Sequence, residues 1–248
     1  MSTISTLVCL LAMLCLASGC DDSGPPPETD APTAPPASTG CPNERDLVAD
    51  EAARRGPLRG DVTGDGRNDE VFIAVDEGAE TGCRALLILR FGTEVLAISI
   101  DGENVELGLG LPAPVGLKQV DGRGGSDVII DLAAGAATLF AGVFSFADGS
   151  LEQIRIEGSQ PPAVDLFAHG GSVGQLSGVD CGGDGGVVIS TAVPEGRRYA
   201  VDRRAHEIDG VTLTRNPAED QREKVRLKEL PRRFPEFGGP PFSSCPDA

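Results

Sequence analysis

The chain has 248 residues, a formal net charge of −17 and 40% hydrophobic residues, which is enough apolar material for one sizeable domain. The charge disfavours nucleic acids and anionic lipid surfaces as partners, because like charges repel at long range. No Trp and only 4% aromatic residues argue against a carbohydrate-binding module, which stacks sugars on aromatic rings. The 33 Gly and 19 Pro disfavour long helices, so we expect a mainly β protein. From the charge, we expect no nucleic-acid partner.

The N-terminus has the features of an export signal. The apolar run from Leu7 to Ala17 is too short to span a bilayer and is typical of a signal-peptide core. The stretch "LASGC" that ends at Cys20 resembles the lipobox of bacterial lipoproteins. That resemblance implies a signal peptide at residues 1–19, lipid on the sulfur of Cys20, and a chain anchored to the membrane on the extracytoplasmic side of the cell envelope. An ordinary secretory signal, which would release the protein, is the alternative.

Residues 20–40 have the composition of a disordered, Pro-rich tether. Four cysteines follow, Cys41, Cys83, Cys181 and Cys245, and an even number suits two disulfides in an oxidising compartment. Three pairings are open. A Cys41–Cys245 bond is geometrically attractive, because it would close a long loop around the folded part.

Three similar passages indicate an internal repeat. Each places an Asp/Gly-rich turn before an apolar strand: "GDVTGDGRNDEVFIAVD", "VDGRGGSDVIIDL" and "VDCGGDGGVVIST". The strands are predicted to begin 57 and 59 residues apart, at Val71, Val128 and Val187. Further alternating stretches with Asp-Gly turn signals follow each one. The pattern predicts three antiparallel sheet units, at about residues 60–102, 119–158 and 176–215, within a β domain at residues 41–216.

The first passage resembles the DxNxDGxxDxxV signature of FG-GAP and VCBS repeats, which build integrin-α-like β-propellers. The layout of lipobox, Pro-rich tether and a few such repeats is also similar to that of secreted bacterial lipoproteins. The resemblance implies that the three units are blade-like sheets. Since three blades are few for a closed ring, we expect an incomplete propeller with an open or sandwich-like array, to which residues 46–53 or the tail could add strands.

The first turn is a candidate calcium site. The predicted ligands are the side chains of Asp61, Thr63, Asp65 and Asp69 and the carbonyl of Arg67, because Ca²⁺ takes six to eight oxygen ligands and clustered carboxylates repel one another without a cation. A hairpin cap with no ion is the alternative. The second turn has Arg123 where an acid is expected and the third has Val188, so neither is expected to bind calcium tightly.

The tail at residues 217–248 is predicted to be a solvated C-terminal extension fastened by its cysteine, in which "AEDQREKVRLKEL" could form a polar helix. A second hypothesis comes from "GGSVG", which matches the G-x-S-x-G elbow of serine hydrolases. The nucleophile would be Ser172 and the base His206, with Asp202 or Asp184 as the third member. The glycine-rich sequence after the Ser disfavours the helix that such an elbow needs. We therefore expect a non-catalytic binding or scaffolding protein with one structural Ca²⁺ and a protein or envelope polymer as partner.

Overall fold

The computed structural model describes residues 39–102, 105–108, 110–160, 165–182 and 185–247. The predicted signal peptide, the anchor at Cys20 and nearly all of the tether lie outside these residues. The elements in chain order are α1 (Glu44–Ala49), β1 (Arg54–Gly60), β2 (Asp69–Val75), β3 (Ala85–Phe91), β4 (Glu94–Ser99), β5 (Ala113–Lys118), β6 (Asp127–Ala134), β7 (Thr138–Ala147), β8 (Ser150–Gln153), β9 (Arg155–Ile156), β10 (Phe167–Ser172), β11 (Gln175–Cys181), β12 (Val187–Glu195), β13 (Arg198–Asp209), β14 (Thr212–Arg215), β15 (Gln221–Val225) and α2 (Leu230–Arg233). The protein is mainly β, as predicted.

Three four-stranded antiparallel meanders follow one another along the chain. Unit 1 is β1-β2-β3-β4, unit 2 is β5-β6-β7-β8, and unit 3 is β11-β12-β13-β14. In each unit the repeated Asp/Gly-rich loop connects the first strand to the second. The period-2 and apolar-run patterns predicted the strands that follow each loop, whereas the strand before each loop was not predicted, and β1 and β5 begin before the predicted bounds of their units.

Units 2 and 3 are joined into one continuous sheet, which the sequence did not indicate. Strand β7 has ten residues: its second half pairs with β8, and its first half pairs with β10, which in turn pairs with β11. The two-residue strand β9 also pairs with β14, in parallel. The described strands thus form a four-stranded and an eleven-stranded sheet.

The units stack face to face. One face of unit 1, with Ile73 and Leu87, packs against Ile130 of unit 2, while Ile129 on the opposite face of unit 2 packs with Val179 of unit 3. Successive side chains of a strand point to opposite faces, so a strand buried on both faces is apolar throughout. This explains the runs "VFIAV" and "ALLIL" in β2 and β3.

Each end of the stack is covered by chain from outside the repeats. Leu47 of α1 packs on the outer face of unit 1. Residues 46–53, which were expected to add a strand to the array, are therefore helical at their start. At the other end Leu230 and Phe234 pack on Tyr199 and Val201 of unit 3. Such covers keep the apolar faces of terminal repeats out of water.

The tail is part of the folded domain, and the predicted polar helix is wrong at its centre. Residues Gln221–Val225 form β15, which pairs with the first half of β13. Glu236 is buried, and its carboxylate accepts hydrogen bonds from Ser190 Oγ at 2.8 Å and Arg203 Nε at 3.0 Å. The exposed edge of β13 offers backbone pairing that local helix propensity did not anticipate.

The disulfides pair Cys41 with Cys83 and Cys181 with Cys245. The first fastens the segment before α1 to unit 1, and the second fastens the end of the tail, which packs between units 2 and 3, to β11. The long-loop pairing of Cys41 with Cys245 does not form, because Cys41 packs on the outer face of unit 1 whereas Cys245 packs between units 2 and 3. Two disulfides are typical of an extracytoplasmic protein. Among the helices that the structure describes, none is long and apolar enough to cross a membrane.

Candidate functional site

The first repeat loop, which we call loop 1 (residues 61–69), is organised around a buried carboxylate. Asp69 is the first residue of β2 and is 3% exposed. Its Oδ2 atom accepts hydrogen bonds from the amides of Val62 and Thr63, both at 2.9 Å, and from Thr63 Oγ1 at 3.1 Å. A carboxylate held by several donors at the start of a strand closes the loop in a defined shape.

The other acidic side chains of loop 1 also face backbone amides. Asp61 accepts from Gly64 N at 2.7 Å, Asp65 N at 3.1 Å and Gly66 N at 2.8 Å, and Asp65 accepts from Arg67 N at 2.8 Å. Among the described residues, no group of three His, Cys, Asp or Glu side chains is close enough to hold a metal ion. The predicted calcium ligands share one loop, but amides balance their charge in this conformation. Calcium binding stays a prediction.

Loop 2 (residues 120–127) repeats the hydrogen bonds that the strand-starting Asp accepts in loop 1. Asp127 Oδ2 accepts from Val120 N at 2.7 Å and Asp121 N at 2.9 Å, and Asp121 Oδ1 accepts from Arg123 N at 2.8 Å. These bonds make Thr63 the equivalent of Asp121.

Loop 2 contains its own cation. Asp121 Oδ2 accepts from Arg123 Nε at 2.6 Å and from Ser145 Oγ at 2.5 Å. Arg123 Nη2 also donates to the carbonyl of Gly210 in unit 3, at 3.1 Å. Burial, and then the nearby charge of Asp121, raise the pKa of Asp127 to about 6. Sequence reasoning missed Ser145 because it lies in β7, and no local pattern relates it to the loop.

Loops 1 and 2 are in direct contact. The Ser126 amide donates to the Asp61 carbonyl at 2.7 Å, and a Cβ added to Gly125 would lie 2.3 Å from the Val62 carbonyl oxygen. Between the loops is a cavity of about 160 Å³, lined in part by Thr63, Asp121 and Ser145. This volume is room for a few water molecules or a hydrated ion, and is smaller than the pockets that bind drug-sized ligands.

Loop 3 (residues 179–186) serves a different purpose. Gly186 occupies the place of the strand-starting Asp, and a Cβ there would lie 2.4 Å from the carbonyl oxygen of His206. Asp180 is buried and accepts from Ser244 N at 2.8 Å and Ser243 Oγ at 3.4 Å. The loop thereby fastens the tail, beside the Cys181–Cys245 disulfide. Asp184 lies outside the described residues.

The proposed hydrolase residues are not brought together. Ser172 ends β10, and the next element is strand β11 rather than a helix. Ser172 lies at the end of the sheet where β11 begins. There Leu176 of β11 pairs with Ala192 of β12, which pairs with Val201 of β13. His206 of β13 pairs with Val187, at the other end of β12. Five residues of strand separate the two ends, roughly 16 Å. Asp202 is engaged by Arg222 at 3.1 Å and Arg204 at 3.2 Å.

Two further polar features lie in unit 3 and at its junction with unit 2. The buried His169 contacts Asp131, with Nε2 and Oδ1 2.7 Å apart. A second cavity, of about 650 Å³, lies beside His206 and is lined in part by Val188 and Asp220. Burial is the main cause that lowers the pKa of His206, which favours the neutral ring.

Comparisons with known proteins do not assign the chain to a family. No family model matches it, and no curated protein matches it. The solved structures include a Xanthomonas type IV secretion system related protein that is 16% identical, with 70% of this chain and 90% of that chain covered, at a TM-score of 0.29. A TM-score this low carries no argument about fold or role.

Proposed function

We propose that this chain is a non-catalytic binding or scaffolding protein, held at the membrane by a lipid on Cys20 and built from FG-GAP/VCBS-like repeats that resemble incomplete propeller blades. One observation carries the proposal. Equivalent Asp residues, Asp69 and Asp127, start the second strand of units 1 and 2 and accept hydrogen bonds from the two amides six and seven residues before them. Repeated units of this kind stack into platforms whose surfaces bind partners.

An extracytoplasmic location supports the same proposal. Each of the two disulfides joins a terminal segment of the domain to a repeat unit, and structural disulfides persist where thiols are oxidised. A lipid anchor with a flexible tether would leave a folded domain of this kind free to contact its surroundings.

The non-catalytic part of the proposal is supported by the bonding of the polar groups in the loops. The carboxylates of loops 1 and 2 are engaged by backbone amides, by Ser145 or by Arg123. A catalytic acid or base needs a free position within hydrogen-bond reach of a substrate. Ser172 of β10 and His206 of β13, moreover, lie at opposite ends of the sheet that contains unit 3.

A structural Ca²⁺ in loop 1 remains part of the proposal. Loop 1 has three Asp residues and, unlike loop 2, no arginine bonded to them through its side chain within the described part of the chain. An ion would have to replace backbone amides at Asp61 and Asp69. Its effect would be to stiffen the loop, since the site is formed by one short segment.

The test is chemical crosslinking in the native envelope, with the full chain and with Ser172→Ala. We expect a discrete crosslinked product that is unchanged in the variant, because partner binding does not depend on a nucleophile at this position. A fluorophosphonate probe is applied to the same two samples. Labelling of the wild type that Ser172→Ala abolishes would show a serine hydrolase and overturn the proposal. Membrane release on Cys20→Ser tests the anchor separately.

A further inference from the structure

One end of unit 3 exposes large apolar side chains. Val173 is 75% exposed in the turn between β10 and β11, Leu227 is 51% exposed just after β15, and Val193 is 43% exposed near the end of β12. Isolated exposed apolar residues are common, but several at one end of a fold mark an interaction surface.

The segments of the chain that carry these residues are neighbours. The Tyr199 hydroxyl donates to the Val173 carbonyl at 2.7 Å. Tyr199 also pairs with Val225, so the residues that follow β15 begin beside the start of β13. Lys224 Nζ lies 2.8 Å from Glu195 Oε1, which joins β15 to the turn between β12 and β13. The three segments therefore form one contiguous surface.

The same surface is basic. Arg197, Arg198, Arg226 and Lys228 are exposed, and within the described part of the chain none of them forms an ion pair. The exposed Glu195 at this end is paired with Lys224, so it does not neutralise these four cations. The whole-chain net charge of −17, which disfavours anionic lipid, thus conceals a local group of cations.

We propose that this tip surface, defined as Val173, Arg197, Arg198, Arg226, Leu227 and Lys228, docks on an anionic lipid bilayer. The inference rests on the membrane location in the proposed function. Lys and Arg near an anionic leaflet are attracted by its negative surface potential, and Val173 and Leu227 can enter the interface beside them.

Two features favour a bilayer over an acidic protein segment. The exposed apolar side chains stand on separate segments of the chain, whereas a peptide-binding groove is concave and continuous. A lipid chain alone also gives marginal, reversible attachment, and a basic patch is the second signal that makes it stable. The acidic remainder of the domain would be repelled by the same leaflet, so docking would orient the stack with unit 3 toward the membrane.

The test is flotation with vesicles, using the chain with Cys20→Ser so that no lipid contributes. We expect binding to vesicles that contain phosphatidylglycerol, little binding to phosphatidylcholine vesicles, and release by salt. Arg197→Glu with Arg198→Glu should weaken binding about tenfold or more. The matched control is Arg45→Glu with Arg155→Glu, the same charge change at exposed arginines outside the tip surface; this variant should keep most of the binding.

Insertion is tested by fluorescence, because the chain contains no Trp. The emission maximum of the single Trp in Leu227→Trp should shift to shorter wavelength when phosphatidylglycerol vesicles are added, and that of Arg45→Trp should not shift. Three outcomes would each overturn the inference. They are absence of flotation at low salt, an equal loss of vesicle binding in the Arg45→Glu, Arg155→Glu control, and binding to polyglutamate but not to vesicles. None of these outcomes affects the proposed anchor, since Cys20 is replaced throughout.

Discussion

Loops 1 and 2 hold their backbones in the same way and balance their charge differently. In both, an Asp at the start of a strand accepts hydrogen bonds from two amides at the beginning of the loop. Loop 2 then neutralises its second acid with Arg123 and Ser145. Loop 1 spreads its acids over amides and has Thr63 where loop 2 has Asp121.

The comparison separates what a repeat must retain from what it can change. The buried Asp satisfies amides that would otherwise be unpaired inside the stack, and their loss would be costly. The remaining acids do not have this constraint, so loop 2 could pair its acid with an arginine of its own while loop 1 has exposed acids. Of these two loops, only loop 1 therefore has carboxylates that a Ca²⁺ ion could reach without displacing an arginine.

The largest effect is expected where the two loops touch. Gly125→Ala places a methyl group 2.3 Å from the Val62 carbonyl oxygen, whereas a Cβ on Gly124 would meet nothing within 4 Å. Because backbone must move in the first case, we expect Gly125→Ala to lower the free energy of unfolding by about 3 kcal/mol or more. Urea denaturation measures this, with Gly124→Ala as the control. Equal losses in the two variants would show that the loops do not need their close contact.

The next effect tests the shared role of the buried Asp. Asp69→Ala leaves the Val62 and Thr63 amides without their acceptor, and at roughly 1 kcal/mol per lost bond, including that of the Thr63 hydroxyl, the cost should be about 3 kcal/mol. Asp65→Ala, which removes one bond in an exposed turn, should cost less than about 1 kcal/mol. Similar midpoints in urea for both variants would mean that the buried carboxylate is dispensable.

A third prediction concerns the pH dependence of loop 2. Because the folded pKa of Asp127 is about 6 against an ordinary 3.8, the folded state binds its proton more tightly, and stability falls as pH rises from about 4 to 6. Asp127→Asn cannot ionise and retains an acceptor oxygen for both amides. The stability lost between pH 4 and 7 should shrink by roughly 2–3 kcal/mol, as measured by denaturation at several pH values. An unchanged pH profile would contradict the raised pKa.

The smallest effect is that of calcium on loop 1. If Kd is on the order of 10⁻⁴ M, millimolar Ca²⁺ stabilises the folded state by about 1.4 kcal/mol. Thermal melting in Ca²⁺ and in EGTA should differ in the wild type and in Asp121→Asn, but not in Asp65→Ala. Identical melting temperatures of the wild type in both solutions would mean that backbone amides alone balance the negative charge of loop 1.

Much of the strand pattern could be predicted, because it depends on local residues. The apolar runs of β2 and β3 and the Asp-Gly turn at Asp148, where both residues have positive φ, follow from period and turn chemistry. At the Asp-Gly at Asp101 the Val105 amide donates to the Gly102 carbonyl at 3.1 Å, so the chain turns there, but the described residues on either side form no hairpin. Asp101 is buried and paired with Arg84, at 2.7 Å between Nη2 and Oδ1.

The candidate site was predicted less well. The sequence marked Asp61, Asp65 and Asp69 as a group, but the direction of each carboxylate depends on amides whose positions are set by the folded loop. Ser145 and Gly210 reach loop 2 from other parts of the chain. Contacts between residues so far apart in sequence have no local pattern from which they could be read.

The sequence by itself determined a repeated β architecture, because side-chain alternation and turn residues act over a few neighbouring positions. Tertiary structure decided the disulfide pairing, the joining of units 2 and 3 through β10, the strand in the tail, and the gathering of cations at one end of an acidic domain. These features depend on which surfaces meet when the sheets stack. Stacking is governed by burial of whole faces, to which residues far apart in sequence contribute together.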